Sequence, residues 1–379
     1  MKIGIEGQRL FRVKKHGMDM VALELIRNLQ EIDKENEYFI FVKPDSDVDC
    51  LKPTANFQII PLGGGPYPSW EQIALPKAAA KYGCDILHCT SNTAPIKLKM
   101  PLVVTLHDII YLESISLLKK GGTWYQKMGN MYRRFVVPKV VERSQRIITV
   151  SHFEKNRIRD FFGFPADDKR LVAIYNGVGE HFKPITDQQE LQRVKAKYAL
   201  PDHFAFFLGN TDPKKNTKGV LKAFSDYLKS TSDPLKLVML DYDKSALDAL
   251  LTEIGDKNLI NHIHLTGYVI NTDLPSIYSL SKLFLYPSLR ESFGIPMLEA
   301  MRCGTPVITS DTSSMPEVSG DAALIIDPYK PEEITAAMKR LMKDDNLRGD
   351  LINKGFKQAE KFSWRAMAQE VLNLYHEIS

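Results

Sequence analysis

Short apolar runs of β type alternate with amphipathic helical stretches along the whole chain, and nothing else in the sequence constrains the fold so strongly. A first series reads IGIEG (3–7), YFIFV (38–42), FQII (57–60), DILHC (85–89), LVVTLHD (102–108), RIITVS (146–151) and LVAIYNGV (171–178). A second reads FAFFLGN (204–210), LKLVMLD (235–241), IHLTGYV (263–269), KLFLYPS (282–288), TPVITSD (305–311) and AALIID (322–327). Between the runs the period changes, as where Val21, Leu25, Leu29 and Ile32 lie at helical spacing. Strands joined through helices run parallel, so two such series predict an α/β chain of two doubly wound parallel-sheet domains. The polar stretch 179–203 marks the boundary and gives domains 1–185 and 186–362. The terminal amphipathic helix, 363–379, is expected to pack back on the first. Ligands of such sheets bind outside the carboxyl ends of the strands, here in the expected cleft between the two sheets.

Composition removes other classes. The longest apolar runs, such as FAFFLG (204–209), are far shorter than the roughly 20 residues that span a bilayer. The start, MKIGIEGQRLF, lacks the apolar core of a signal peptide and reads as a strand. Four cysteines (Cys50, Cys84, Cys89, Cys303) make no disulfide framework in a chain this long. A cytoplasmic protein is expected. Charge is uneven: residues 1–185 hold 27 Lys and Arg against 20 Asp and Glu, and the remainder 23 against 26. Eleven basic residues crowd into 119–159, with only Glu142 and Glu154 opposing them. Such an excess suits peripheral contact with an acidic membrane, at about 1 kcal/mol per basic residue; a solvated helix face is the alternative. No nucleic-acid-binding motif accompanies it, and nucleic acid is not an expected partner.

The most informative stretch is YPSLRESFGIPMLEAMRCGTPVITSDTSSMPEVSGDAALIIDP, 286–328. A strand ends at Pro287, a polar loop follows, and a helix begins around Pro296, where a missing N–H costs nothing. The free N–H groups of that helix start, reached closely past Gly294, suit a phosphate. Glu291 precedes the helix and Glu299 lies in its first turns, so a carboxylate can reach each side of a phosphate held there. Carboxylates also accept paired hydrogen bonds from vicinal diols. The alternative is that both glutamates only charge a helix N-terminus, worth about 0.3–1 kcal/mol. A second motif is FFLGNTDPKKN, 206–216, which presents Lys214 and Lys215 beyond a strand ending at Gly209. A lysine at a strand's carboxyl edge can offset charge growing on a departing diphosphate.

With Glu291, SFGIP and Glu299 followed by LEAMRCGTPVITSD and PEVSGDAAL, the chain resembles the family-four retaining glycosyltransferases, most densely over 204–328. The resemblance implies the GT-B fold of two Rossmann-like domains. It also implies a retaining transfer of a hexose from a nucleotide diphosphate sugar to a saccharide or lipid-linked glycan, as in surface polysaccharide synthesis. It assigns Glu291 to the donor sugar hydroxyls and Glu299 to the ribose. The amides around Ser292, Phe293, Gly294 and Ile295 fall to the diphosphate or sugar. Lys215 matches the family's phosphate-binding lysine, beside Gly209. Many members carry arginine directly after that glycine, where this chain has Asn210, and Lys214 is the candidate replacement.

In the first domain the resemblance places His107 and Asp108 near the donor sugar and acceptor, and Gly17 in a loop approaching either. Ser151 and Asn176 match positions at the cleft edge; an N-cap and a turn are their alternatives. Tyr268 and Val269, after Gly267, resemble the base-binding loop. Asp241 and Asp243 have the D-x-D spacing of metal-dependent enzymes, but two strand–helix series and cationic phosphate contacts lead to the expectation of no metal and no cofactor. A carboxylate at Asp241 suits guanine, so GDP-mannose is the favoured donor and a UDP-hexose the second. An epimerase on the same architecture and a non-catalytic nucleotide-sugar-binding protein remain open at this point.

Overall fold

The computed structural model describes residues 1–113 and 124–378, less the side chains of 124–127. Contacts divide the chain into two compact units, Met1–Gly177 with Trp364–Ser379, and Val178–Ser363.

The first unit is built on seven parallel strands: β1 (Lys2–Gly7), β2 (Glu37–Val42), β3 (Phe57–Pro61), β4 (Ile86–Cys89), β5 (Leu102–Thr105), β6 (Arg146–Thr149) and β7 (Leu171–Ala173). Their spatial order is β3-β2-β1-β4-β5-β6-β7, which reverses direction between β1 and β4. The apolar runs are continuous rather than alternating because helices cover both faces of a parallel sheet. The helix Trp364–His376 packs against Gly17–Ile32. It brings the Tyr375 hydroxyl to 2.6 Å from Nδ1 of His88 inside the sheet, while Nε2 lies 2.8 Å from Thr105 Oγ1. Burial pushes the His88 pKa down to about 3, so the ring is neutral and serves as a cross-strand tie.

The second unit holds β8 (Phe204–Phe207), β9 (Lys236–Met239), β10 (Ile263–Leu265), β11 (Leu283–Tyr286), β12 (Val307–Ser310) and β13 (Ala323–Ile326), all parallel. The order β10-β9-β8-β11-β12-β13 reverses between β8 and β11. Two doubly wound sheets, of seven and six strands, are therefore what the alternating pattern predicts.

The units divide at Gly177 and Val178, eight residues before the boundary expected from composition. Residues 178–185 are held by the second unit: Val178 N–H donates to Phe362 O (3.3 Å), Arg302 donates to the carbonyls of Val178 and Gly179 (3.3 Å each), and Ile185 N–H donates to Ser279 Oγ (3.0 Å). From β4 onward the strands are also shorter than the apolar runs. FAFFLGN, for example, leaves the sheet at Phe207, so the carboxyl ends of the runs become loops.

The basic segment is more paired than its composition suggests. Arg146, Arg157 and Arg159 meet Glu377 (3.5 Å), Glu113 (2.6 Å) and Asp160 (2.8 Å), and Arg143 donates to main-chain carbonyls. Lys119 and Lys120 lie outside the described residues, as does the Lys127 side chain. Among the described residues no helix is long and apolar enough to cross a membrane. All four cysteines are free, and only Cys50 is not buried.

Candidate active site

The loops that follow β8 and β11 meet where the strand order of the second unit reverses, the place at which open α/β sheets take ligands. After β8 the chain folds through a 3₁₀ turn, Pro213–Lys215, capped by Asp212, whose carboxylate accepts Lys214 N–H at 3.1 Å. Asn210 Oδ1 accepts Asp212 N–H at 2.8 Å. Asn216 adopts left-handed backbone (φ 58°) and donates through Nδ2 to Pro287 O (3.1 Å) and Pro328 O (2.8 Å), clamping the turn to the far side of the edge. Leu289 N–H donates to Lys214 O at 2.7 Å and joins the two loops main chain to main chain.

This frame aims Lys215. Its Nζ donates to Glu291 Oε1 at 2.6 Å and lies 5.1 Å from the centre of the Tyr286 ring, with the Tyr286 hydroxyl at 3.3 Å. The two side chains are only 16% and 13% exposed, so their charges interact with little screening. Lys214 turns instead toward Asp212, at 3.7 Å, and its side chain is 40% exposed. Of the two lysines, Lys215 is the one that reaches Glu291.

The Glu291 loop is held by hydroxyls from the end of β12 and the segment that follows it. Ser310 Oγ donates to Ser288 O (2.6 Å), Thr312 Oγ1 to Ser288 O and Leu289 O (3.2 Å each), and Ser314 Oγ to Glu291 O (3.0 Å) and Phe293 O (3.1 Å). Ser313 Oγ accepts Glu291 N–H at 3.1 Å. With those carbonyls occupied, the loop delivers Gly294 as N-cap of the helix Ile295–Arg302, whose first N–H groups carry the positive end of its dipole.

Gly294 sits at φ 100°, and an added Cβ would come 3.0 Å from both Met297 Cε and Met315 Cε. Gly294→Ala is therefore expected to cost about 1–3 kcal/mol, read as a lower denaturant midpoint at unchanged slope.

Glu299, one turn into this helix, is half-buried and accepts from the Tyr278 hydroxyl at 3.0 Å. Burial pushes its pKa up to about 7, against a smaller opposite effect of the Tyr278 bond. Farther along the edge, Asp241 (φ 40°) donates its N–H to Gly267 O at 3.0 Å, so the turns after β9 and β10 are tied together. Tyr268 is exposed on this loop and Val269 buried. Asp243 is occupied differently, capping the helix Lys244–Glu253 by accepting Ala246 N–H at 2.7 Å. The D-x-D spacing is thus split between a turn and a cap.

Sequence reasoning did not find Tyr278, Tyr286 or Ser310–Ser314. The signal present was faint: a tyrosine closing the strand before the loop, and the hydroxyl-rich run TSDTSS.

In the first unit His107 follows β5. Its Nε2 lies 3.0 Å from Thr90 O and its N–H donates to Asn92 Oδ1 at 2.6 Å. A carbonyl can only accept, so Nε2 carries the proton and Nδ1 is the acceptor. Burial pushes this imidazole down, opposed by the Thr90 carbonyl bond and by Asp108 and Asp19. Asp108 accepts Ile110 N–H at 3.2 Å. Gly17 opens the helix Gly17–Ile32 with open space about its Cα. Ser151 is the N-cap of His152–Phe162 and accepts Glu154 N–H at 3.1 Å. Asn176 is buried, its Oδ1 without a donor. At the β1–β4 reversal, and missed from sequence, buried Glu6 accepts Gln8 N–H (2.8 Å) and Thr90 Oγ1 (3.2 Å), and burial pushes its carboxyl up.

Two family profiles cover most of the chain: "Glycosyl transferases group 1" matches residues 188–358 and "Glycosyltransferase Family 4" matches 16–181. The chain is similar to the O-antigen chain mannosyltransferase B of Escherichia coli, 34% identical over 276 residues, which are 72% of this chain and 69% of that protein. Among solved structures, the sucrose-phosphate synthase of Thermosynechococcus elongatus superposes with a TM-score of 0.75 at 20% identity, covering 99% of this chain and 98% of that one. The Anabaena protein Alr3699/HepE, solved in complex with UDP-glucose, gives 0.74 at 16% identity with both chains fully covered. At these identities the structural likenesses speak for the fold.

Proposed function

Because the chain belongs to the group 1 glycosyltransferases, with the GT-B fold, we propose that it is a retaining hexosyltransferase. It moves mannose from GDP-mannose to a saccharide or lipid-linked glycan in surface polysaccharide synthesis, without a metal. The observation that carries this reading is the Lys215–Glu291 pair, 2.6 Å apart at the sheet's reversal point. A diphosphate arriving there competes for Lys215 and frees Glu291 to accept hydrogen bonds from sugar hydroxyls. Lys215 and the first amides of the helix Ile295–Arg302 then oppose the charge that grows as the anomeric carbon–oxygen bond breaks. The acceptor oxygen forms the new bond on the same face, and its proton leaves to the departing phosphate oxygen. Glu299 holds the ribose, and the Asp241–Gly267 turn pair takes the base. The mannosyltransferase relative supports the choice of sugar, and the UDP-glucose complex of a structural neighbour keeps UDP-hexoses as the second donor class.

A lipid-linked acceptor is favoured by the helix Trp124–Arg143. Met128, Met131 and Phe135 are exposed along it at spacings of three and four, and Lys139 Nζ lies 3.5 Å from the Phe135 ring centre. An apolar stripe with basic neighbours suits peripheral contact with an anionic bilayer.

A thermal-shift screen tests the donor. GDP-mannose is expected to raise the midpoint more than UDP-glucose or UDP-galactose, and an equal or larger UDP response would reverse the assignment. Phe135→Glu is expected to reduce sedimentation with anionic vesicles while leaving the GDP-mannose shift intact.

A further inference from the structure

The first unit carries a groove lined by none of the residues placed in the donor site. One wall is the helical segment 67–81, which widens into a π turn over Trp70–Ala74 between α-helical ends; Leu75 N–H donates to Trp70 O, five residues back. Pro76 explains the widening, because it has no N–H for the carbonyl of Gln72 and its ring crowds that carbonyl. Such turns are rare and concentrate at functional sites. Here the turn buries Trp70 and Glu71 and leaves Ile73 53% exposed, on one face with Pro76 and Ala80.

The opposite wall is Ile96–Met100, in which half-buried Ile96, Leu98 and Met100 alternate with exposed Lys97 and Lys99. Gln72 ties the walls, accepting Ile96 N–H at 2.9 Å and donating to Ala94 O at 3.0 Å. Arg143 closes the groove by donating to the carbonyls of Ile96, Leu98 and Met100, not to a carboxylate. The groove is open to solvent along its length and holds about 540 Å³, inside the range of about 300–1,000 Å³ typical of small-molecule sites.

Lys77, Lys97, Lys99 and Arg143 stand around this apolar trough, and among the described residues no carboxylate lines it. We infer that the groove binds a single phosphorylated hydrocarbon chain, the chain along the trough and the phosphate on the lysines. Free phosphate would leave the apolar walls in water, and an uncharged amphiphile would make no use of the four cations. The inference rests on the lipid-linked acceptor proposed above and gives its carrier, rather than its sugar, a place on the chain.

The test is calorimetric titration of the full chain with decyl phosphate below its micellar concentration, beside inorganic phosphate and decyl maltoside. Decyl phosphate should bind with one-to-one stoichiometry and the other two about ten-fold more weakly or worse. Ile73→Asp, and separately Lys97→Glu with Lys99→Glu, alter exposed side chains and should each weaken decyl phosphate about ten-fold. Their GDP-mannose thermal shifts should stay unchanged. Affinity in both variants within about two-fold of the parent, or equal binding of decyl maltoside, would overturn the groove while leaving the donor reading intact. Decyl phosphate binding in a protein that ignores every nucleotide sugar would instead uphold the groove and remove the donor reading.

Discussion

Lys215→Ala is expected to lower kcat about 10²–10³-fold, the usual effect of deleting one preorganised group that meets transition-state charge. The ammonium is held by the Asp212 and Asn216 turn and stands over the Tyr286 ring, so little motion is needed when the diphosphate departs. The substitution also leaves a shielded Glu291 carboxylate without its cation. Some stability is therefore lost with it, and the activity must be compared below the variant's melting temperature. Lys215→Arg should recover part of the rate, and Lys214→Ala, whose side chain pairs with Asp212 in solvent, should cost far less. A Lys215→Ala enzyme with undiminished kcat would remove the proposed role.

The second large effect concerns Glu299. Its pKa of about 7, against an ordinary 4.5, means that the folded chain binds this proton more tightly than the unfolded chain. Stability from this group therefore falls as pH rises from about 4.5 to about 7, and the full cost, roughly 3 kcal/mol, is present above pH 7. Glu299→Gln should melt higher than the parent at pH 8 and show a flatter stability profile between pH 5 and 8. Donor affinity should move the other way. A ribose diol needs the ionised carboxylate as acceptor, so GDP-mannose binding should weaken in the parent as pH falls below about 7. The glutamine variant should bind weakly throughout. Matching pH profiles in parent and variant would contradict this assignment. A site that is more stable without its own glutamate fits the general exchange of stability for function.

Much of this was legible in the chain. The runs and their spacing give both parallel sheets, because a continuous apolar run followed by helical periodicity has few other solutions. Glu291, Gly294 and Glu299 could be placed about a helix start from residue types alone. The contact between Lys215 and Glu291 could not, since it joins positions 76 apart through the pairing of β8 with β11, and local pattern does not encode which strands become neighbours. The clamps were hidden for the same reason: Asn216, Ser313 and Ser314 read as loop residues until their partners are known. Ser151 shows the converse, since its buried hydroxyl is occupied as an N-cap. The displaced domain boundary arose because residues 178–185, though polar, are hydrogen-bonded to Phe362, Arg302 and Ser279.

The reaction proposed for this chain is retaining, metal-free mannosyl transfer from GDP-mannose. Its most direct test is proton NMR of the purified protein with GDP-mannose, a mannoside acceptor and EDTA. A new α-mannosidic anomeric signal growing one for one with released GDP is expected. A β-linked product, an isomerised donor formed without acceptor, or activity lost to EDTA and restored by a divalent cation would contradict it.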